Sequence, residues 1–190
     1  MIEILVGVVA GLLIGSFLNV CIHRMPRDLS VVRPRSFCPH CEHPIAAYDN
    51  IPVVSYLWLR GRCRHCSGRI PLRYPVVEAL TAALFAFTLA RMGFGLPALK
   101  WCLFEAIMVC LLFCDLEERI LPDEFTLGGA VLGVLLAAAV PMDWGYANLL
   151  LAGRMDVRWT SVIESAAGAV VASGLLWLVG SAYMAVRRRE

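Results

Sequence analysis

Apolar residues in this chain come in long runs, separated by polar segments that are short except in one place. Five runs stand out, at 2–22, 75–90, 99–114, 125–140 and 161–186. A helix needs roughly 17 to 25 mostly apolar residues to cross the hydrocarbon core of a bilayer. The pattern therefore predicts an all-α integral membrane protein with about five transmembrane helices, the second and third being short. The one soluble insertion, residues 24–74, is of a length that connecting segments rarely reach unless they are functional. No internal repeat or low-complexity stretch interrupts this organisation.

Composition makes the solvent explicit. With 59% hydrophobic residues and a mean hydropathy of +0.72, the 190-residue chain belongs with membrane proteins. The first run lacks a basic leading segment and a small-residue cleavage pattern, and it is followed by HRMPR, so it reads as a retained anchor and not a signal peptide. Charge then sets orientation. Nine arginines lie between Arg24 and Arg73; with Arg119, Arg187, Arg188 and Arg189, thirteen of the seventeen basic residues fall on one face if five helices alternate. Only Arg91, Lys100, Arg154 and Arg158 fall on the other. The positive-inside rule makes the basic face cytoplasmic, with the N-terminus outside and the C-terminus inside. The net charge of +2 gives no reason to expect nucleic acid, and contact with anionic membrane lipid is a sufficient account of the arginines.

Within the insertion, Cys38, Cys41, Cys63 and Cys66 form C-x2-C-x21-C-x2-C. Two such pairs are the spacing of zinc ribbons, in which each pair makes a knuckle and four thiolates complete a tetrahedron. A reducing cytoplasm argues against two disulfides. Covalent haem attachment would need histidine where Glu42 and Ser67 stand, and a thioredoxin-like site would need one pair in a βαβ setting. His40 and His65 could substitute as ligands, although four cysteines are the simpler set. Such a site contributes folding energy to a loop too polar to build its own core. The other four cysteines, Cys21, Cys102, Cys110 and Cys114, sit singly in apolar runs, where a small buried side chain is explanation enough.

Carboxylates supply the remaining candidate chemistry. The stretch CDLEERILPDEFTLGG, residues 114–129, joins the third and fourth helices. Pro122 suits a helix start, and Asp123 and Glu124 then meet the positive end of the fourth helix dipole. Asp115 falls at the end of the third helix, where the dipole disfavours an anion, so it costs stability and points to chemistry. Glu117, Glu118 and Arg119 read as a solvated turn. Glu78 and Glu105 lie inside helices, where functional groups and interhelical contacts compete as explanations. Asn19 and Ser16 suggest interhelical hydrogen bonding, with Gly11 and Gly15 permitting close approach. Five helices without a visible repeat make an ion-transport path through Glu78, Glu105 and Asp115 the weaker reading.

Taken in order, GSFLNVCIHRMP, CPHC, NIPVVSYLWLRGRC, CRHC, IPLRYPVVE and DLEERILPDEFT resemble the bacterial prepilin peptidases, or type IV leader peptidases, through nearly the whole chain. The resemblance implies an integral membrane aspartic peptidase of the inner (cytoplasmic) membrane. Such enzymes remove the basic leader of prepilins and of the pseudopilins of type II secretion at the cytoplasmic face. It also implies N-methylation of the new N-terminus with S-adenosylmethionine. The leading aspartate of the family's D-x5-LPD stretch falls on Asp115, with Glu78 and Asp123 as supporting candidates. The second family aspartate, in a G-x-G-D motif, has no counterpart in these residues. On this reading the segments are a first transmembrane helix at 1–23, a cytoplasmic zinc-binding loop at 24–74 and an incomplete peptidase core at 75–190, and the chain alone is expected to be inactive. The alternative is a non-catalytic membrane scaffold or adaptor with a zinc-stapled loop.

Overall fold

The computed structural model describes residues 1–142, 145–151 and 154–187; Arg188 and Arg189 of the charge pattern lie outside them. The described residues form helices and isolated β-bridges, with no strand. The helices are α1 (Ile2–Arg24), α2 (Val54–Trp58), α3 (Arg73–Met92), α4 (Leu96–Glu118), α5 (Asp123–Ala139), α6 (Tyr146–Leu151) and α7 (Val157–Arg187). Four stretches among them are long and apolar enough to cross a bilayer: Ile2–Arg27, Arg73–Met92, Leu96–Glu118 and Val157–Ala185. The second and third helices are therefore longer than their apolar runs, because polar residues at their ends continue the helix. The fourth run gives α5, whose 17 residues reach about 26 Å, at the short limit for a span.

Two compact units divide the chain, at residues 1–126 and 127–190. In the first, α1, α3 and α4 pack together, and α1 packs chiefly on α3. Glycines set that contact. A methyl group built on Gly7, Gly11 or Gly15 would lie 2.6, 2.4 or 2.7 Å from the Cα of Ala86, Ala82 or Glu78, respectively. Three turns of one helix thus meet three turns of the other backbone to backbone, which replaces the hydrophobic driving force that lipid does not supply. Asn19 fastens the same pair, donating from Nδ2 to the Tyr74 carbonyl at 3.0 Å and to the Gly15 carbonyl at 3.3 Å. Between α3 and α4, Thr88 donates to Glu105 at 2.5 Å, so Glu105 is an interhelical contact.

The buried cluster sits toward one end of these helices: Leu18, Cys21 and Ile22 of α1, Val77 of α3, and Val109, Cys110 and Cys114 of α4. Three lone cysteines are thus core side chains, and Cys102 is buried as well. At that end α4 finishes on Arg119 in the left-handed conformation, its N–H bonded to the Asp115 carbonyl at 3.0 Å. Glu117 and Glu118, expected in a solvated turn, belong to the last turn of α4 and pair with Arg73 and Arg27. In this way the ends of α1, α3 and α4 are joined where the long loop leaves and returns.

In the second unit α7 begins on Asp156, whose Oδ1 accepts the N–H of Arg158 at 2.8 Å, as an N-cap does. Glu164 of α7 accepts the N–H groups of Tyr146 and Ala147 at 3.1 and 2.5 Å, closing the start of α6. Neither α6 nor this use of Glu164 follows from the hydrophobic pattern, since a two-turn helix leaves no period to read. None of the apolar window of α7 is buried within the described residues, as suits a helix facing lipid.

Candidate functional site

The loop from 25 to 72 starts with a pinned exit. Arg24, nearly buried, donates to the carbonyls of Ser30 and Pro34, each at 2.8 Å, and folds the first ten residues back on the end of α1. Arg64 forms a two-pronged pair with Asp49, with distances of 2.6 to 3.1 Å, which holds the Asp49 carboxyl below its ordinary range. These arginines, with Arg27 and Arg73, have partners in the protein, so lipid contact is not the whole account of the basic loop.

Two knuckles follow the same local plan. Cys38 N–H donates to the His43 carbonyl and Cys63 N–H to the Gly68 carbonyl, while Glu42 and Ser67 donate back to Cys38 and Cys63. Glu42 and Ser67, each directly after the second cysteine of its pair, have φ of 57° and 58°. Bridges between Phe37 and Pro44 and between Arg62 and Arg69 close the two turns. The four sulfurs of Cys38, Cys41, Cys63 and Cys66 come within 4.8 Å of one another, and Cys38 Sγ lies 3.7 Å from Cys66 Sγ. A tetrahedron of sulfurs at 2.3 Å from zinc has edges of about 3.8 Å, so the group fits a zinc ion and no disulfide joins it. Backbone N–H groups of Cys66 and His65 aim at Cys63 and bring its thiol down to about 7. The His43 N–H lowers Cys41 too, but desolvation and the sulfurs of Cys66, Cys38 and Cys63 outweigh it and leave that thiol at about 12. A bound cation would let all four sulfurs at this spacing lose their protons together. The histidines stand outside the set: His65 stacks on His43 at 3.6 Å between ring centroids.

Glu78 connects loop and helix. It is buried, and its Oε2 accepts the N–H of Val53 at 2.7 Å. Val53 has φ 60° and ψ −47°, and Val54 N–H reaches the Pro52 carbonyl at 2.6 Å. This is a γ-turn of the strained hand, centred on a β-branched residue that disfavours positive φ. The carboxylate holds it in place at the start of α2.

A cavity of about 620 Å³ lies between the loop and the adjoining ends of α1 and α3, walled by Asn19, Arg24, Tyr56, Arg73 and Glu78 among others. Asp115 is exposed, in the last turn of α4, and its carboxylate has no hydrogen-bond partner among the described residues. It follows the buried Cys114 in sequence and so emerges from the three-helix cluster at the loop end. Asp123 opens α5, as its sequence position suggests, with Pro122 just ahead as the acceptor of the first turn. The sequence did not single out Asn19 and Arg73 as cavity residues, because which wall a side chain faces is a tertiary fact.

Lipid-length helices that carry a cysteine-stapled polar loop define a multi-pass membrane protein with a zinc-ribbon-like module. A family model described as the bacterial peptidase A24 N-terminal domain matches residues 9–92. Proteins named prepilin leader peptidase/N-methyltransferase align along the chain. That of Myxococcus xanthus is 47% identical over 71% of this chain and 40% of its own length. That of Aeromonas hydrophila is 38% identical over 88% and 61%, and that of Klebsiella pneumoniae 35% identical over 90% and 70%. The chain belongs to the prepilin leader peptidase/N-methyltransferase family. It spans 40% to 62% of the length of the first relatives it matches. No solved structure matches it.

Proposed function

We propose that this protein is the prepilin-processing component of a bacterial membrane: an aspartic peptidase that removes prepilin or pseudopilin leaders at the cytoplasmic face, coupled to N-methylation of the new N-terminus. The alignment to relatives bearing that name, at 35% identity over 90% of the chain, is the observation that carries it.

Asp115 is assigned as one carboxylate of the catalytic pair. Two carboxyl groups close together share a proton, because both cannot ionise at short range. The ionised one takes a proton from water as the water oxygen bonds to the scissile carbonyl carbon. The protonated one donates toward the carbonyl oxygen, and the C–N bond then breaks as the leaving amine gains a proton. Asp123 opens α5, where its charge suits the helix dipole, and is not assigned to the pair; the partner is the aspartate of the G-x-G-D motif that the family resemblance implies. Zinc at the four cysteines holds the loop in shape, and S-adenosylmethionine supplies the methyl group.

The test is leader cleavage of a prepilin by the protein as its gene encodes it. Asp115→Asn is expected to lower the rate by at least about 100-fold while zinc content and membrane insertion stay unchanged. Cleavage that survives the substitution removes Asp115 from the mechanism; a membrane adaptor would show no cleavage with either residue.

A further inference from the structure

The short helix α2 has two unlike sides. Ser55 is buried, its Oγ donating to the Tyr48 carbonyl at 2.9 Å and accepting the N–H of Ile51 at 3.1 Å, and with Tyr56 it lines the cavity. Val54, Leu57 and Trp58 take no part in the cavity wall and are 55%, 68% and 80% exposed. They stand at i, i+3 and i+4, the spacing of one helix face. A contiguous apolar face on a polar loop that ion pairs and a metal site hold in shape marks a surface for a partner.

Depth identifies that partner. The 20 residues of α3 span about 30 Å, the thickness of the hydrocarbon core, so Arg73 at its start lies near the lipid boundary. Glu78 is five residues further on, about 7.5 Å deeper along the axis. Helical side chains lean toward the N-terminus, so the Glu78 carboxylate, and with it the Val53 N–H that it accepts at 2.7 Å, lies between these two levels. That bond holds the start of α2 beside the end of the span and not clear of the membrane. Interfacial helices bury their apolar face roughly 5–10 Å into the headgroup and acyl boundary, a depth within reach from there. The chain leaving α2 is suited to such a place, because the N–H groups of residues 59 to 62 all bond back to residues 55 to 59 and need no water.

Charge agrees with depth. Arg27, Arg64 and Arg73 pair with carboxylates, whereas Arg60 and Arg62, next in sequence to the Trp58 face, are exposed and have no carboxylate partner among the described residues. Lipid phosphates supply the missing anions, and tryptophan favours the same boundary.

We propose that α2 is an interfacial anchor, with Val54, Leu57 and Trp58 set among the acyl chains of the adjoining leaflet and Arg60 and Arg62 bound to anionic headgroups. The loop is then moored to the membrane at its middle as well as at its two ends, and the inner side of α2 holds its part of the cavity wall at the lipid surface.

Tryptophan fluorescence of the purified full chain in lipid nanodiscs reads this contact, the difference between the parent and Trp58→Phe isolating the Trp58 signal. Bromine placed on the acyl chains near the headgroup is expected to quench that signal, and acrylamide in the water to leave it largely intact. With brominated lipid as a minor fraction, phosphatidylglycerol is expected to be enriched at Trp58 over phosphatidylcholine by about fivefold, the bias that a single basic residue near an anionic surface supplies. Arg60→Gln combined with Arg62→Gln, checked for zinc content, is expected to bring the two lipids level. Quenching by acrylamide and not by brominated lipid would put the face in water and overturn the proposal. Protection from both quenchers would mean that protein covers the face, from elsewhere in the chain or from a partner, and would overturn it equally. Equal quenching by the two lipids in the parent would remove the headgroup contact and the proposal with it.

Discussion

At the scale of single residues, side chains that look alike in the sequence differ in what they touch. Eight cysteines divide into four whose sulfurs converge and four that fill helix contacts. Cys63→Ser removes one ligand, so metal analysis is expected to fall below one zinc per chain and limited proteolysis of residues 25–72 to accelerate. Cys102→Ala lies outside the set and should leave zinc at one per chain. The aspartates divide as well. Asp123→Asn is expected to cost a few tenths to about 1 kcal/mol of helix-end stabilisation, read as a small shift in thermal unfolding, and to leave leader cleavage near the parent rate. The knuckles were legible because paired cysteine spacing fixes the geometry before any tertiary contact forms. The cap roles of Asp156 and Glu164 were not, because an acid beside or within a helix reads the same way until its partner is known.

Elements show where the hydrophobic pattern is strong and where it is blind. It located the long helices because lipid imposes a minimum length. It misjudged their ends, since Arg73, Glu117 and Glu118 continue helices with ion pairs that no apolar count detects. Gly11 and Gly15 were read as close-packing residues; Gly7, Ala82 and Ala86 complete the same seam one helix turn further on. Substitution is expected to be severe there. A side chain at residue 11 would meet the Ala82 Cα at 2.4 Å, backbone that cannot swing away. Gly11→Val is therefore expected to cost at least about 1–3 kcal/mol, the usual range for overpacking. Detergent-titrated unfolding measures it, and Gly133→Val, where open space surrounds the site, serves as the control.

For the molecule as a whole, the loop, the last turn of α4 and the start of α5 share one end of the first unit, and Asp115 lies at that end. On the proposed function the carboxylate must face the compartment where the leader resides, and the positive-inside rule predicts that this is the cytoplasm. A cysteine introduced at Glu42, in the exposed first knuckle, is expected to resist an impermeant thiol reagent added to intact cells. Labelling of that thiol from outside would reverse the orientation. The proposed orientation rests on charge alone. The cavity was not legible in the sequence, since it exists only where a folded loop closes over the helix ends.

The glycine seam between α1 and α3 has a consequence for how the protein matures. Its contacts lie along the helices and require nothing from the cysteines, so the two helices can settle in the bilayer before the loop acquires metal. Bacteria starved of zinc would accumulate inserted, protease-sensitive chains, and restoring the metal would convert those same molecules to the mature form. A pulse-chase with protein synthesis blocked before zinc is returned would show the old chains gaining protease resistance.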